Sequence, residues 1–268
     1  MEKVSIPGIG LSVSRFIFGT ASLFNAGDSS ARQKLLHSAV EQGFSHFDTA
    51  PYYGFGAAER DLAPVLRAYP GVSVTTKVGI YSPGGERQPD WLIFGRKVAG
   101  RAIKAISRPE IDFSIDRAKR ALSDSLSRLG RDHIELYMLH EPEIGLLDTD
   151  EWQYWLEKEK SRGRIGAYGL ALRADQLRRF IQVCPQFCGL IQMQDSLDYK
   201  EADLLALFSQ PMQITYGYVS AARARGDERS VAMILQKALE RNRTGALIVS
   251  STRPERLGQY RVLLEKGS

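Results

Sequence analysis

Short apolar, β-branched runs recur along the chain, each followed by a turn and then by apolar positions at the three-to-four-residue spacing of a helix. Runs at 16–19, 45–48, 72–77, 134–139, 167–171, 190–193, 213–218 and 246–249 read as strands. Helices are expected over 31–42, 57–67, 115–129, 151–162, 174–183, 201–208, 230–241 and 254–264. The third has the clearest pattern: Ile115, Ala118, Leu122 and Leu129 share a face, Ser114 stands at the cap position and Gly130 just past the end.

Continuous apolar strands alternating with helices imply a parallel sheet covered by helices, which is an α/β fold. Eight strand–helix units of about 33 residues use up the chain, and that arithmetic predicts a (β/α)8 TIM barrel. A doubly wound sheet has a similar pattern but usually carries G-x-G-x-x-G after its first strand. Here that strand runs into Gly19-Thr20-Ala21-Ser22, and Gly54-Phe55-Gly56 lacks the third glycine and follows the second strand. Ahead of the barrel, apolar stretches at 4–6 and 11–13 flank Pro7-Gly8-Ile9-Gly10 and predict an N-terminal β-hairpin able to plug the barrel bottom. A long segment over 78–112, carrying Trp91, Phe94 and the Pro83-Gly84-Gly85 turn, is expected to be a functional or mobile loop. No linker or low-complexity stretch divides residues 1–268, so a single domain is expected.

Composition narrows the class. Of the 268 residues, 43% are hydrophobic and 25% charged, which disfavours a largely disordered chain. Lys and Arg number 36 against 31 Asp and Glu, and the excess is dispersed; the richest stretch, 223–229, mixes Asp227 and Glu228 into its arginines. No nucleic-acid partner is expected. No apolar run approaches the roughly 18 residues of a membrane span and no signal pattern follows Met1, so a soluble, cytoplasmic protein is expected. Cys184 and Cys188 cannot form a disulfide framework or a four-cysteine zinc site, and His46 and His133 are not spaced as metal ligands with His140. No metal is expected.

A barrel places its active site at the C-terminal ends of its strands. Three apolar runs end there on ionisable residues: Asp48, Lys77 and His140. Asp48 leads into Thr49-Ala50-Pro51-Tyr52-Tyr53-Gly54, a short aromatic loop over the same rim. Singly, each has an ordinary explanation: Asp48 as a turn residue, Lys77 as a strand-end lysine, His140 as a turn histidine, Tyr53 as a loop aromatic. Jointly they fit one task. A lysine beside a phenol favours the phenolate and is expected to lower the tyrosine pKa from about 10. A carboxylate keeps that lysine charged and oriented, and an imidazole completes a polar cradle for a carbonyl oxygen gaining negative charge. Tyr53 would then serve as acid in carbonyl reduction and as base in alcohol oxidation, with the hydride coming from a cofactor.

Phe47-Asp48-Thr49-Ala50-Pro51-Tyr52-Tyr53-Gly54, Thr76-Lys77 and Leu139-His140 resemble, in order and spacing, the three signature segments of the aldo-keto reductase superfamily. The resemblance implies an eight-stranded barrel, a nicotinamide cofactor that is usually NADP(H) with NAD(H) as the alternative, and a catalytic tetrad of Asp48, Tyr53, Lys77 and His140. It also implies cofactor contacts: Gly19, Thr20 and Ala21 against the nicotinamide ribose, Gln192 near the carboxamide, and Tyr216 stacked on the ring. Ser250, Ser251, Arg253 and Arg256 would hold the adenosine phosphate near a helix start, with Gln259 near the adenine. The chain departs from the family pattern at Gly169-Leu170-Ala171-Leu172, where many members have Gly-Val-Ser-Asn. It also departs at Ser250 and Tyr260, where many NADP users carry lysine and asparagine. The chain is short after its last helix, so a reduced C-terminal loop is expected.

The resulting expectation is an NAD(P)(H)-dependent oxidoreductase that interconverts an aldehyde or ketone and an alcohol, with Tyr53 as general acid and base and a small-molecule substrate. Two alternatives stand beside it. One is an NAD-dependent aldose or sugar dehydrogenase; the other is a non-catalytic barrel that senses cofactor or binds a partner.

Overall fold

The computed structural model describes residues 1–88, 92, 93, 95 and 108–265. The expected hairpin is present: β1 (Lys3–Ser5) pairs antiparallel with β2 (Ser12–Ser14). Eight parallel strands then form the barrel: β3 (Phe16–Gly19), β4 (His46–Asp48), β5 (Ser73–Val78), β8 (Ile134–His140), β9 (Ile165–Leu172), β10 (Ile191–Gln194), β11 (Ile214–Tyr216) and β12 (Ala246–Val249). They close in the order β10-β11-β12-β3-β4-β5-β8-β9. The expected TIM barrel is the observed fold.

Strand side chains alternate between two faces, and the barrel uses that alternation fully. Phe18, Phe47, Val74, Leu139, Leu170, Met193 and Leu247 belong to the large apolar cluster shared with the surrounding helices. Ile17, Leu136, Met138, Ala171, Ile214 and Ala246 form the interior cluster, which Ile6 and Val13 of the hairpin join, both fully buried. The Gln213 side chain donates to Pro7 O at 2.7 Å and ties the hairpin to the start of β11. The hairpin therefore closes the N-terminal end of the barrel. Continuing the same alternation to the other end brings Gly19, Asp48, Lys77, His140, Ala171, Gln192 and Tyr216 inward.

Close strand approach depends on one glycine near the site. A Cβ on Gly169 would stand 2.0 Å from Leu190 O, so only glycine lets β9 lie against β10 there. Helices are bolted to the barrel by buried polar groups as well as by apolar packing. Glu59, on helix Ala57–Ala68, accepts from Thr76 of β5 at 2.6 Å and from Arg128 of helix Ile115–Leu129 at 2.7 Å. Asp195, just past β10, accepts from Arg241 at 2.5 Å and from Tyr218 at 2.7 Å.

Several expected elements differ in detail. The run 213–218 stops as a strand at Tyr216, because Gly217 turns the backbone left-handed at φ 98 and Tyr218 opens a helix, Tyr218–Ala224, absent from the sequence reading. The helix expected over 201–208 shrinks to Asp203–Ala206. Ser114 occupies the cap position of Ile115–Leu129 without a side-chain capping bond, while Gly130 ends that helix left-handed at φ 63. The segment expected as loop over 78–112 contains a two-stranded ladder, β6 (Ile80–Tyr81) against β7 (Glu110–Ile111). Trp91 and Phe94 lie outside the described residues. Trp152 and Trp155 pack edge to face at 5.4 Å, and the Trp152 indole donates to Phe113 O. Cys184 and Cys188 are buried free thiols. No helix among the described residues is long and apolar enough to cross a membrane.

Candidate active site

At the C-terminal mouth, Asp48, Tyr53, Lys77 and His140 line one cavity of about 330 Å3. Asp48 and Lys77 come from neighbouring strands, and both are almost fully buried. The turn after β4 folds Tyr53 back over them, with Tyr53 N–H donating to Ala50 O at 3.0 Å. The Lys77 ammonium donates to Asp48 Oδ1 at 2.7 Å, to Thr49 O at 2.9 Å and to the Tyr53 hydroxyl at 3.3 Å. Three acceptors match the three protons of an ammonium group. His140, at the end of β8, sets its ring edge-on to Tyr53 with centroids 6.0 Å apart.

Burial dominates the protonation of this cluster. Burial lowers the Lys77 pKa, but Asp48 and the Tyr53 hydroxyl together outweigh it and hold the ammonium charged above its ordinary value. For Tyr53 the direction corrects the sequence expectation. Burial raises its pKa more than Lys77 lowers it, and Asp48 and Glu141 add to the rise, so the phenol is a weaker acid than free tyrosine. His140 is driven well below its usual value by burial and then by the Lys77 charge, which leaves a neutral imidazole. Beneath the site, His46 sits between Ser73 Oγ at 2.6 Å and Thr75 Oγ1 at 2.7 Å, its pKa lowered to about 3 by burial and by Lys77.

Of the residues implied as cofactor contacts, Gly19, Ala21, Gln192, Tyr216 and Ser250 line the same cavity. A second cavity of about 280 Å3 shares Gly217, Ser220, Ile248 and Ser250 with the first, and its further lining includes Arg223, Arg256 and Tyr260. The two cavities adjoin along these shared residues as two lobes of the cleft, one at the tetrad and the other at Arg256. Thr20 does not face it: the buried hydroxyl donates to Asp48 O at 3.0 Å and supports the loop. The Ser251 hydroxyl is likewise occupied, accepting from Arg253 N and donating to Arg253 O. Arg253 is exposed and lines neither lobe. Gln259 opens onto a separate depression beside Gln42 on the other side of its helix. The sequence reading missed Ser220, Arg223, Ile248 and, as a lining residue, Glu141. Ile248 was recoverable from its two-residue spacing to Ser250, and Glu141 from its place directly after His140.

Four buried polar atoms at or beside the site have no hydrogen-bond partner among the described residues: Asp48 Oδ2, Thr49 Oγ1, His140 Nδ1 and Gln192 Oε1. Buried polar groups are ordinarily satisfied, so these four are exceptions concentrated at this end of the barrel.

Residues 15–194 match the model of the Aldo/keto reductase family. The chain is 31% identical over 182 residues to D-threo-aldose 1-dehydrogenase of a Pseudomonas species, covering 65% of this chain and 54% of that one. It is 30% identical over 194 residues to the NADH-specific methylglyoxal reductase of Escherichia coli, covering 68% and 56%. The chain thus spans about half the length of the curated relatives it matches. Among solved structures, the holo form of an aldo-keto reductase from Bacillus halodurans superposes with TM-score 0.74 at 20% identity, over 99% of this chain and 91% of that one. Glycerol dehydrogenase from Gluconobacter oxydans superposes with TM-score 0.73 at 19% identity, over 97% and 89%. Likeness at that identity speaks to the fold, and the sequence match carries the assignment: the chain belongs to the aldo/keto reductase family.

Proposed function

We propose that the protein is an NAD(P)(H)-dependent oxidoreductase that interconverts an aldehyde or ketone and an alcohol, with Tyr53 as the proton donor. The observation that carries this reading is the Lys77 ammonium, 2.7 Å from Asp48 and 3.3 Å from the Tyr53 hydroxyl in one cavity with His140. Because the phenol oxygen accepts from Lys77, its own proton is free to be donated to a substrate oxygen. As that proton leaves, the phenolate forms beside a cation already in place, so little reorganisation is needed. Neutral His140 keeps a ring N–H for the substrate oxygen without adding a competing acid.

The cleft fits the cofactor that the family uses. Gln192 on the cavity wall offers an amide side chain for a carboxamide, Tyr216 an aromatic face, and Ser250 with Arg256 a hydroxyl and a guanidinium for phosphate oxygens. When bound, the nicotinamide supplies or accepts the hydride. The cation at Arg256 favours NADP(H), with NAD(H) as the alternative. Fluorescence quenching by NADPH and NADH, followed by a panel of aldehydes, ketones and sugars with each cofactor, tests the reading. Turnover of a carbonyl or alcohol supports it, and binding with no turnover across the whole panel would replace it with a cofactor-sensing barrel. A second reading, oxidation of an aldose at its anomeric hydroxyl, is favoured by the likeness to D-threo-aldose 1-dehydrogenase.

A further inference from the structure

The two lobes of the cleft differ in charge. Near the tetrad, the charged residues on the cavity wall, among the described residues, are Asp48, Lys77 and Glu141. Asp48 and Lys77 neutralise each other across 2.7 Å, and His140 is neutral. What remains among the described residues is one unbalanced carboxylate, Glu141. The other lobe is lined by Arg223 and Arg256 and is basic. Arg173, the cation whose field reaches Tyr216 at the rim, is exposed and stands 3.8 Å from Asp175.

Glu141 is held in place by its backbone. It is a non-glycine residue with φ 47, in the left-handed region that side chains with a Cβ rarely enter. Its N–H donates to Ala171 O at 2.7 Å, locking it to the exit of β9, and Pro142 follows it and disfavours the right-handed helical alternative. A backbone conformation of this kind persists where the surrounding structure over-determines it, and such positions cluster at functional sites. The side chain makes no hydrogen bond or ion pair among the described residues that would give it a structural task, and its field reaches both Tyr53 and Tyr216.

We infer that Glu141 is a specificity-determining residue: its carboxylate makes the substrate end of the cleft select uncharged, hydroxyl-bearing carbonyl compounds and reject those carrying a carboxylate or phosphate. A carboxylate accepts hydrogen bonds from substrate hydroxyls, and it repels an anion in a cavity where water screens poorly. Ser220 and Tyr216 add hydroxyls along the same wall. The inference rests on the oxidoreductase reading above and deepens it by naming the substrate class.

Glycolaldehyde and glyoxylate share a two-carbon aldehyde skeleton and differ in a hydroxymethyl group against a carboxylate. The test compares kcat/KM for both, and for acetaldehyde, in wild type, Glu141→Gln and Glu141→Asp. Comparing variants on the same substrates cancels differences in aldehyde hydration. The expected result is that Glu141→Gln raises the glyoxylate-to-glycolaldehyde ratio by about tenfold or more, while Glu141→Asp keeps the wild-type preference. In wild type alone, added salt should raise the same ratio, which serves if the glutamine variant folds poorly. An unchanged ratio in Glu141→Gln, or a wild type that favours glyoxylate and is insensitive to salt, overturns the inference and leaves the oxidoreductase reading intact. No turnover of any of the three, nor of the wider carbonyl panel, overturns the oxidoreductase reading and the inference with it.

Discussion

The Lys77 ammonium donates to the Tyr53 hydroxyl at 3.3 Å while a 2.7 Å bond to Asp48 and a 2.9 Å bond to Thr49 O take its other protons. The lysine is thus fully committed, and its third bond fixes the orientation of the phenol. With its oxygen accepting from Lys77, the phenol has its proton left for the cavity. A cation at that distance would also stabilise the phenolate that the proposed proton transfer leaves behind.

Tyr53→Phe removes the proton and little else. Turnover is expected to fall about 10²- to 10⁴-fold, while cofactor binding followed by fluorescence quenching stays within about twofold. Steady-state rates alongside a quenching titration check both halves.

Because burial raises the Tyr53 pKa above its ordinary value, the phenol stays protonated through the neutral and mildly alkaline range. Under the proposed mechanism reduction uses the protonated form and should show no loss attributable to Tyr53 below about pH 10. Oxidation, which under the same mechanism uses the phenolate, should still be rising there. A reduction profile with a descending limb near neutrality that Tyr53→Phe abolishes would contradict this.

His46 and His140 are buried with depressed pKa values, that of His46 at about 3. Below about pH 6.5 the unfolded chain takes up protons that the folded chain refuses, so each histidine costs about 1.4 kcal/mol of stability per pH unit on acidification. The contribution is fully present above pH 6.5 and is lost as the pH falls toward the folded value. Urea denaturation between pH 6.5 and 4 should give a shallower slope for His46→Gln than for wild type.

Arg256 lines the basic lobe beside Ser250. Arg256→Ala is expected to weaken NADPH binding about tenfold and to leave NADH nearly unchanged, since only NADPH carries the extra phosphate. Equal effects on the two cofactors would remove Arg256 from phosphate recognition.

The Glu59 carboxylate is fully buried between Thr76 and Arg128, 2.7 Å from the guanidinium. Arg128→Met strands that charge and should cost about 3–5 kcal/mol, whereas adding Glu59→Gln to the same protein should recover much of the loss. Denaturant midpoints of the two variants test the pair.

The sequence by itself determined the eight barrel strands and brought forward Asp48, Tyr53, Lys77 and His140 as one candidate group, because both rest on local signals. Apolar periodicity within a few residues marks each strand, and an ionisable residue ending an apolar run marks the barrel rim, so Asp48, Lys77 and His140 could be read off in order. Tertiary structure alone decided which candidates converge. Thr20 and Ser251 have hydroxyls suited to a ligand, yet both are consumed by neighbouring backbone groups. Gln259 lies one helical face away from the cleft. Gly217 cut β11 short and opened the Tyr218–Ala224 helix that brings Ser220 and Arg223 to the cleft wall. The sign of the Tyr53 shift was likewise beyond the sequence, since adjacency to a lysine predicts a lowered pKa and only the depth of burial reverses it. Strand period and residue type are properties of a few neighbouring residues, but barrel closure joins segments far apart in the chain, and hydrogen-bond partners and solvent exclusion at the rim exist only once it has closed.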